Sequence, residues 1–140
     1  MKRWTYFTVG FILIFLFSSC ELDSGENFHF EPLEITGADV PDSFTLNRTH
    51  VIDVSILRTN SCTFFQGFDV TEEEGGVLNI VAIGSVLTND DCSTVDDTLS
   101  SAFNLTAIFN GTYLLRFYAG NDAEGTPQFL EYEVPVETIQ

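Results

Sequence analysis

The sequence predicts an all-β domain, an immunoglobulin-like antiparallel β-sandwich of about seven strands. Three observations support this prediction. Apolar and polar residues alternate from residue 28 onward, as a strand with one buried face requires. Clusters of Gly, Asn, Asp and Thr break the alternation at short intervals, which is typical of turns. No segment after residue 20 has a helical period, and seven short strands in roughly 110 residues favour this sandwich.

The strands are placed where the alternation is clearest. Residues 52–56 read Ile-Asp-Val-Ser-Ile, so three branched apolar side chains share one face. Residues 103–109, 113–117 and 129–136 repeat the pattern, whereas 77–83 is more continuously apolar and predicts a central strand. The predicted strands, in order, cover residues 28–36, 44–57, 62–70, 77–87, 99–109, 112–119 and 127–136.

Turn residues separate the strands. They are concentrated at residues 37–42, 59–61, 73–76, 89–97, 110–111 and 120–125. Asn110-Gly111 lies between two alternating runs, which is the strongest short signal for a β-hairpin, so the strands on either side of it are predicted to pair.

The adjacent Phe64 and Phe65 cannot both face the core of a regular strand, because successive side chains point to opposite faces. One interpretation leaves a ring exposed for an edge or partner contact. The other, which we favour from the sequence, is a β-bulge that buries both rings.

The N-terminus has the pattern of an export signal. Lys2 and Arg3 precede an apolar run at 9–17, which ends at two small serines. That run is shorter than the roughly 20 apolar residues that a membrane-spanning helix needs. We therefore expect residues 1–19 to be a cleaved signal peptide.

Residues 16–20, Leu-Phe-Ser-Ser-Cys, resemble a bacterial lipobox. The resemblance implies that Cys20 is thioether-linked to diacylglycerol and becomes the acylated N-terminus, with two or three acyl chains holding the protein on a bilayer. A plain secreted protein cut nearby is the alternative. The predicted organisation is a signal peptide (1–19), a lipidated cysteine with an acidic tether (20–27) and the sandwich domain (28–140).

The charge balance excludes one class of partner. Residues 1–19 hold two of the five basic residues and none of the 21 acidic ones, so the mature chain has three against 21 and a net charge of −18. Binding to nucleic acid depends on neutralising phosphates with Lys and Arg, so this chain is not expected to bind nucleic acid.

The cysteine count is odd, at three. With Cys20 carrying lipid, Cys62 and Cys92 remain, and in an oxidising envelope compartment such a pair is expected to form a disulfide. If successive strands run antiparallel, the loops at 58–61, 88–98 and 120–126 share one end of the sandwich, so the two cysteines are able to meet.

The mature chain resembles small lipoproteins of the Bacteroidota that carry an immunoglobulin-like domain. The resemblance is strongest in CTFFQGF (62–68), NDDCS (89–93) and GTYLLRFYAGNDAEGTPQFLEYEVPVE (111–137). It implies no particular activity. The acidic residues after Cys20 look like surface-export signals of that phylum, although a flexible acidic tether has the same composition.

No recognisable catalytic constellation is present, so we expect the chain not to be an enzyme. His29 and His50 are far apart in sequence and are interpreted as strand or loop residues. Paired carboxylates leave an envelope hydrolase as an alternative. Tyr118 is the outward-facing candidate for a sugar-stacking ring, because Tyr113 and Tyr132 fall on inward faces and Trp4 is lost with the signal peptide.

One end of the sandwich is predicted to be rich in oxygen ligands. Calcium takes six to eight such ligands, so one interpretation of this end is a calcium site. The other interpretation, which we favour, is an acidic rim that is simply solvated. The candidate ligands are Asp90, Asp91, Asp96, Asp97, Asp122 and Glu124.

Together these features predict a lipid-anchored protein of the outer membrane, with exposure at the cell surface favoured over a periplasm-facing position. The expected role is a non-enzymatic binding or scaffolding module for a protein or a glycan. A hydrolase, or a structural spacer without a ligand, are the alternatives.

Overall fold

The computed structural model describes residues 27–88 and 91–138. The expected signal peptide, Cys20 and the tether up to residue 26 lie outside the described residues. Among the described residues no helix is long and apolar enough to cross a bilayer. Nine strands account for most of this part of the chain: β1 (Phe28–Leu33), β2 (Ile35–Asp39), β3 (Phe44–Thr45), β4 (Thr49–Asn60), β5 (Thr63–Glu73), β6 (Val77–Leu87), β7 (Thr94–Thr106), β8 (Thr112–Asn121) and β9 (Pro127–Glu137).

The strands form two sheets. In the large sheet, β6 is central and β5 pairs along one of its edges. The other edge of β6 is shared, because β1 pairs with its second half and β8 pairs with residues 77–80. Strand β9 follows β8, and the short β3 pairs with β9. The small sheet has the order β2-β4-β7.

The two sheets pack face to face around one apolar core. On β4 the side chains Ile52, Val54 and Ile56 are fully buried, as the alternation predicts. They meet the inward side chains of the large sheet. The core residues contributed by β3, β6, β8 and β9 include Phe44, Ile80, Tyr113, Leu115, Phe117 and Val134. The predicted β-sandwich is confirmed.

Two predicted strands are each divided in two. The first divides at Glu34, where the chain passes from the large sheet into the small one, and Leu33 and Ile35 on either side are both buried. The Leu57 amide donates to the Glu34 carbonyl, which secures the crossing point. The second divides between β3 and β4, where Asn47 takes a left-handed φ of 60°.

The predicted hairpin at Asn110-Gly111 is wrong. Strand β7 belongs to the small sheet and β8 to the large one, so the connection crosses between sheets instead of folding back within one. Gly111 is needed here for close packing, since a Cβ atom would lie 2.4 Å from the Phe109 ring.

The large sheet is mixed rather than wholly antiparallel as predicted. The pairs β6–β8 and β3–β9 are parallel. The parallel β6–β8 pair follows from the path of the chain. After β6 the chain crosses to the small sheet as β7, and it then returns to the large sheet as β8, which runs in the same direction as β6. The remaining strand pairs in the described part of the chain are antiparallel.

Tyr113 fixes the connection between the sheets. Its ring is buried and packs edge-on against Phe44 and Phe109, with centroid distances of 5.7 Å in both cases. Its hydroxyl oxygen accepts hydrogen bonds from the amides of Ile108 and Phe109, at 3.0 and 2.8 Å. A buried hydroxyl therefore satisfies two backbone donors that no strand partner serves.

One end of the sandwich, which we call the disulfide end, holds the start of β1 and the Cys62–Cys92 disulfide. The two Cα atoms are 5.5 Å apart, so the predicted pairing is confirmed. The Leu87 amide donates to the Cys62 carbonyl, and the Thr88 amide donates to the Asn27 carbonyl. The first described residue is thus tied to the same end as the disulfide.

Candidate binding surface

The outer face of the large sheet carries an exposed aromatic group near the disulfide end. We call it the phenylalanine patch, and define it as Phe28, Phe30, Phe64 and Leu87. The three rings are 53%, 62% and 48% exposed, respectively. Phe28 and Phe30 pack edge-on with a centroid distance of 5.4 Å. Large apolar side chains gathered in one place on a surface are typical of contact sites.

Strand register explains why these rings share a face. Phe30 on β1 and Phe64 on β5 are both paired with Ser85 on the intervening β6. Because serine is small, the two flanking rings enclose a groove of about 530 Å³. Gln66 also lines the groove, and its side-chain amide donates to the Ser85 hydroxyl at 2.8 Å.

The prediction for the Phe64-Phe65 pair is right in part. A bulge is present, between Phe65 and Gly67, and Phe65 faces the core side against Phe68. However, the bulge follows Phe65 and so leaves the register of Phe64 unchanged, with its ring outside. The prediction that both rings are buried is wrong. The exposure of Phe28 and Phe30 was missed, although the alternation of β1 predicts it. Residues 29 and 31 share the face of the buried Leu33, so Phe28 and Phe30 lie on the opposite face.

A second group lies farther along the same outer face. This arginine–aromatic cluster consists of Arg116, Tyr118, Phe129 and Glu131. The Arg116 guanidinium sits 4.4 Å from the centroid of the Phe129 ring and donates through Nε to Glu131 Oε1 at 2.9 Å. It also donates to Asn79 Oδ1 on β6 at 3.1 Å.

Tyr118 lies on the outward side of β8, as predicted. Its ring is in edge-on contact with Phe129 on the paired strand, and its hydroxyl donates to Asn121 at 3.1 Å. The hydrogen bonds and the stacking hold four side chains of two adjacent strands in defined positions. A partner therefore meets a preorganised surface, with little side-chain entropy left to lose.

The acidic residues considered for calcium are partly engaged with the protein itself. Arg58 donates to both carboxylate oxygens of Asp97, with an Nε to Oδ1 distance of 2.8 Å. Asp122 Oδ1 accepts the amides of Glu124 and Thr126, and its Oδ2 accepts the Gln128 side chain. Asp122 thus organises its own loop.

Across residues 27–88 and 91–138, no group of three or more metal-ligating side chains converges. Asp90 lies outside the described residues. Asp91 and Asp96 are exposed near the disulfide end. Calcium binding by the six candidate residues stays a prediction.

The Arg58–Asp97 pair predicts a specific pH dependence of stability. Hydrogen bonding from the Arg58 guanidinium lowers the pKa of Asp97 below its ordinary value, against an opposing effect of burial. A carboxyl group with a lowered pKa in the folded state stabilises the fold above its unfolded pKa, about 3.9, and loses that contribution as the pH falls through the folded pKa.

We therefore expect Asp97→Asn to destabilise the domain slightly at pH 7 and progressively less below about pH 4. The measurement is the urea midpoint of both proteins between pH 7 and pH 2.5. A constant difference over this range would show that the ion pair does not account for the effect.

The two histidines lie on different strands, His29 on β1 and His50 on β4, and each contacts neighbouring residues of the fold. His50 Nε2 accepts the Thr45 amide at 2.9 Å, and its ring lies 4.8 Å from the Phe44 ring. His29 Nε2 is 3.8 Å from a carboxylate oxygen of Glu31 at the surface. These positions agree with their interpretation as strand residues.

Comparisons with protein family models, with curated proteins and with solved structures found no match to this chain.

Proposed function

We propose that this protein is a lipid-anchored, non-enzymatic binding or scaffolding module of the bacterial outer membrane, built on an immunoglobulin-like sandwich. The arginine–aromatic cluster carries the binding part of this proposal. Arg and aromatic residues are enriched at protein interfaces, and Arg and Tyr are frequent among the residues that dominate binding energy. In a mature chain with only three basic residues, one of them is held on an open sheet face beside two rings.

The immunoglobulin-like class is supported by Tyr113. In such sandwiches a tyrosine near the start of a strand often bonds through its hydroxyl to the backbone a few residues upstream, at the corner between the sheets. Tyr113 is the second residue of β8 and accepts the amides four and five residues before it. The proposed kinship with Bacteroidota lipoproteins rests on the sequence resemblance alone.

The anchor is proposed from the sequence around Cys20. A lipid at that position would be joined to Phe28 by only seven intervening residues, and this part of the chain leads to the disulfide end. The free faces and edges farther from that end are then available to a partner. A protein is the favoured partner, and a glycan that stacks on Tyr118 is the alternative.

Replacing the proposed lipidation site gives the clearest test of the anchor. Cys20→Ser should abolish metabolic labelling with a fatty acid and leave the signal peptide uncut by the lipoprotein peptidase, because the lipobox then has no thiol to carry the diacylglycerol. Ser19→Ala, which keeps a small residue before the cysteine, serves as the control and should retain labelling. Labelling that survives Cys20→Ser would rule the lipoprotein assignment out.

Photo-crosslinking in intact cells tests the binding surface. A benzophenone amino acid at Tyr118 should give a discrete adduct, whereas the same group at Val51, exposed on the small sheet, should not. Adding Arg116→Ala should weaken the adduct at position 118 on the order of tenfold, the usual cost of losing a contributing interface residue. Mass spectrometry of the crosslinked fragment after protease digestion distinguishes a protein partner from a glycan. Equal adducts at both positions would contradict a specific surface.

A further inference from the structure

We propose that the phenylalanine patch inserts into the surface of the bilayer that carries the Cys20 lipid, so that the domain stands on the membrane by its disulfide end. The proposal rests on the lipid anchor proposed above. It assigns a lipid surface as the partner of Phe28, Phe30, Phe64 and Leu87, and leaves the arginine–aromatic cluster facing water.

The length of the connecting chain supports this partner. Phe28 is the eighth residue after Cys20, so even a fully extended tether keeps the patch within roughly 28 Å of the anchored residue. An anchored protein has already lost most of its freedom to diffuse away from the bilayer. A weak apolar contact therefore meets the membrane at a high effective concentration.

The charge pattern around the patch also supports a lipid surface as its partner, independently of the tether length. Among the described residues, the outward-facing neighbours of the patch are Pro32, Gln66, Ile83 and Ser85, all of them uncharged, in a chain with 21 acidic residues. The outward acidic residue next along β5 is Asp69, which is paired with Val81, four residues from Ser85 on β6. On the described part of this face, the rings can therefore enter the bilayer surface without taking a carboxylate out of water, which is costly.

The charged groups of β1 and the Arg58–Asp97 pair lie off this outer face. His29 and Glu31 alternate with Phe28 and Phe30 on β1 and so lie on its other face. The Arg58–Asp97 pair belongs to the small sheet. Aromatic and aliphatic side chains are the groups that peripheral proteins place at the boundary between headgroups and acyl chains.

The same geometry keeps the second surface free. Arg116 is in register with Asn79, six residues along β6 from Ser85. At about 3.3 Å per residue, this places Arg116 roughly 20 Å from Ser85, which lies between Phe30 and Phe64. Contact of the patch with lipid therefore leaves Arg116 in water.

Tryptophan fluorescence provides the test. Trp4 is the sole tryptophan of the sequence and is lost with the signal peptide, so Phe30→Trp gives the mature protein a single reporter. Val51→Trp on the small sheet is the matched control, because Val51 is 60% exposed, close to the 62% of Phe30. Each lipidated protein is reconstituted into phosphatidylcholine vesicles with brominated acyl chains. We expect the emission of the Phe30→Trp protein to shift to shorter wavelength and to be quenched severalfold more than that of the Val51→Trp protein.

The outcomes separate the patch from the anchor. Vesicle flotation reports the anchor, and failure to float would remove both proposals together. Flotation without preferential quenching of the Phe30→Trp protein would overturn the membrane contact alone, and would leave the patch as a surface for a protein. A second reporter, Phe64→Trp on the neighbouring strand, should be quenched to the same extent, and its result decides the matter if Phe30→Trp does not fold.

Discussion

Removing the Cys62–Cys92 disulfide should lower the free energy of unfolding by about 3 to 4 kcal/mol, the chain-entropy value for a closed loop of roughly 30 residues. The bond joins the turn between β4 and β5 to the connection between β6 and β7, so it links the two places at this end where the chain passes from one sheet to the other. Without it, the unfolded chain regains the freedom of that loop, and the two connections lose the covalent bond between them.

The measurement is urea unfolding of the wild type and of the double variant Cys62→Ala, Cys92→Ala. Wild-type protein unfolded in the presence of a reductant is the control, and it should reproduce the loss without any change in side-chain volume. A loss well below 1 kcal/mol in both would contradict the expectation, and would indicate that the hydrogen bonds between Ser61 and Ser93 already hold the two segments together.

Tyr113→Phe should cost about 2 to 4 kcal/mol, because it leaves the amides of Ile108 and Phe109 without their shared acceptor while the ring remains in place. The loss falls on the connection between β7 and β8, where the chain changes sheets. We therefore also expect faster amide hydrogen exchange at residues 108 and 109 than in the adjoining strands.

Tyr132→Phe is the matched control for that variant. The Tyr132 ring also packs in the sandwich, 5.8 Å from Phe117, but its hydroxyl makes no hydrogen bond to another described residue. Its removal should change the unfolding free energy by no more than about 0.5 kcal/mol. Equal losses in the two variants would show that the corner hydrogen bonds contribute little.

Much of the strand layout could be predicted from the sequence, because one face of each strand is buried and the period of two is therefore visible. Strands β6 and β8 begin at their predicted positions. The division at Glu34 could not be seen, since the buried Leu33 and Ile35 keep the same alternation across it. A chain that changes sheets without breaking its period leaves no local signal.

Pairing was harder to predict than strand position. Asn110-Gly111 has the composition of a hairpin turn, but here it connects the two sheets. Gly111 leaves space for the Phe109 ring, and the Tyr113 hydroxyl accepts the Phe109 amide. Both depend on residues brought together only by the fold. The same is true of the groove beside Ser85, which exists because β1 and β5 flank β6.

The crossing of the first strand at Glu34 has a mechanical consequence. If Cys20 carries the proposed lipid and a partner pulls on the domain, the force enters at Phe28 and acts along the axis of β1. All six residue pairs that join β1 to β6 are then loaded together in shear, instead of opening one after another. The strand continues through Glu34 into β2, so part of the tension passes to the small sheet, and the two layers resist extraction jointly.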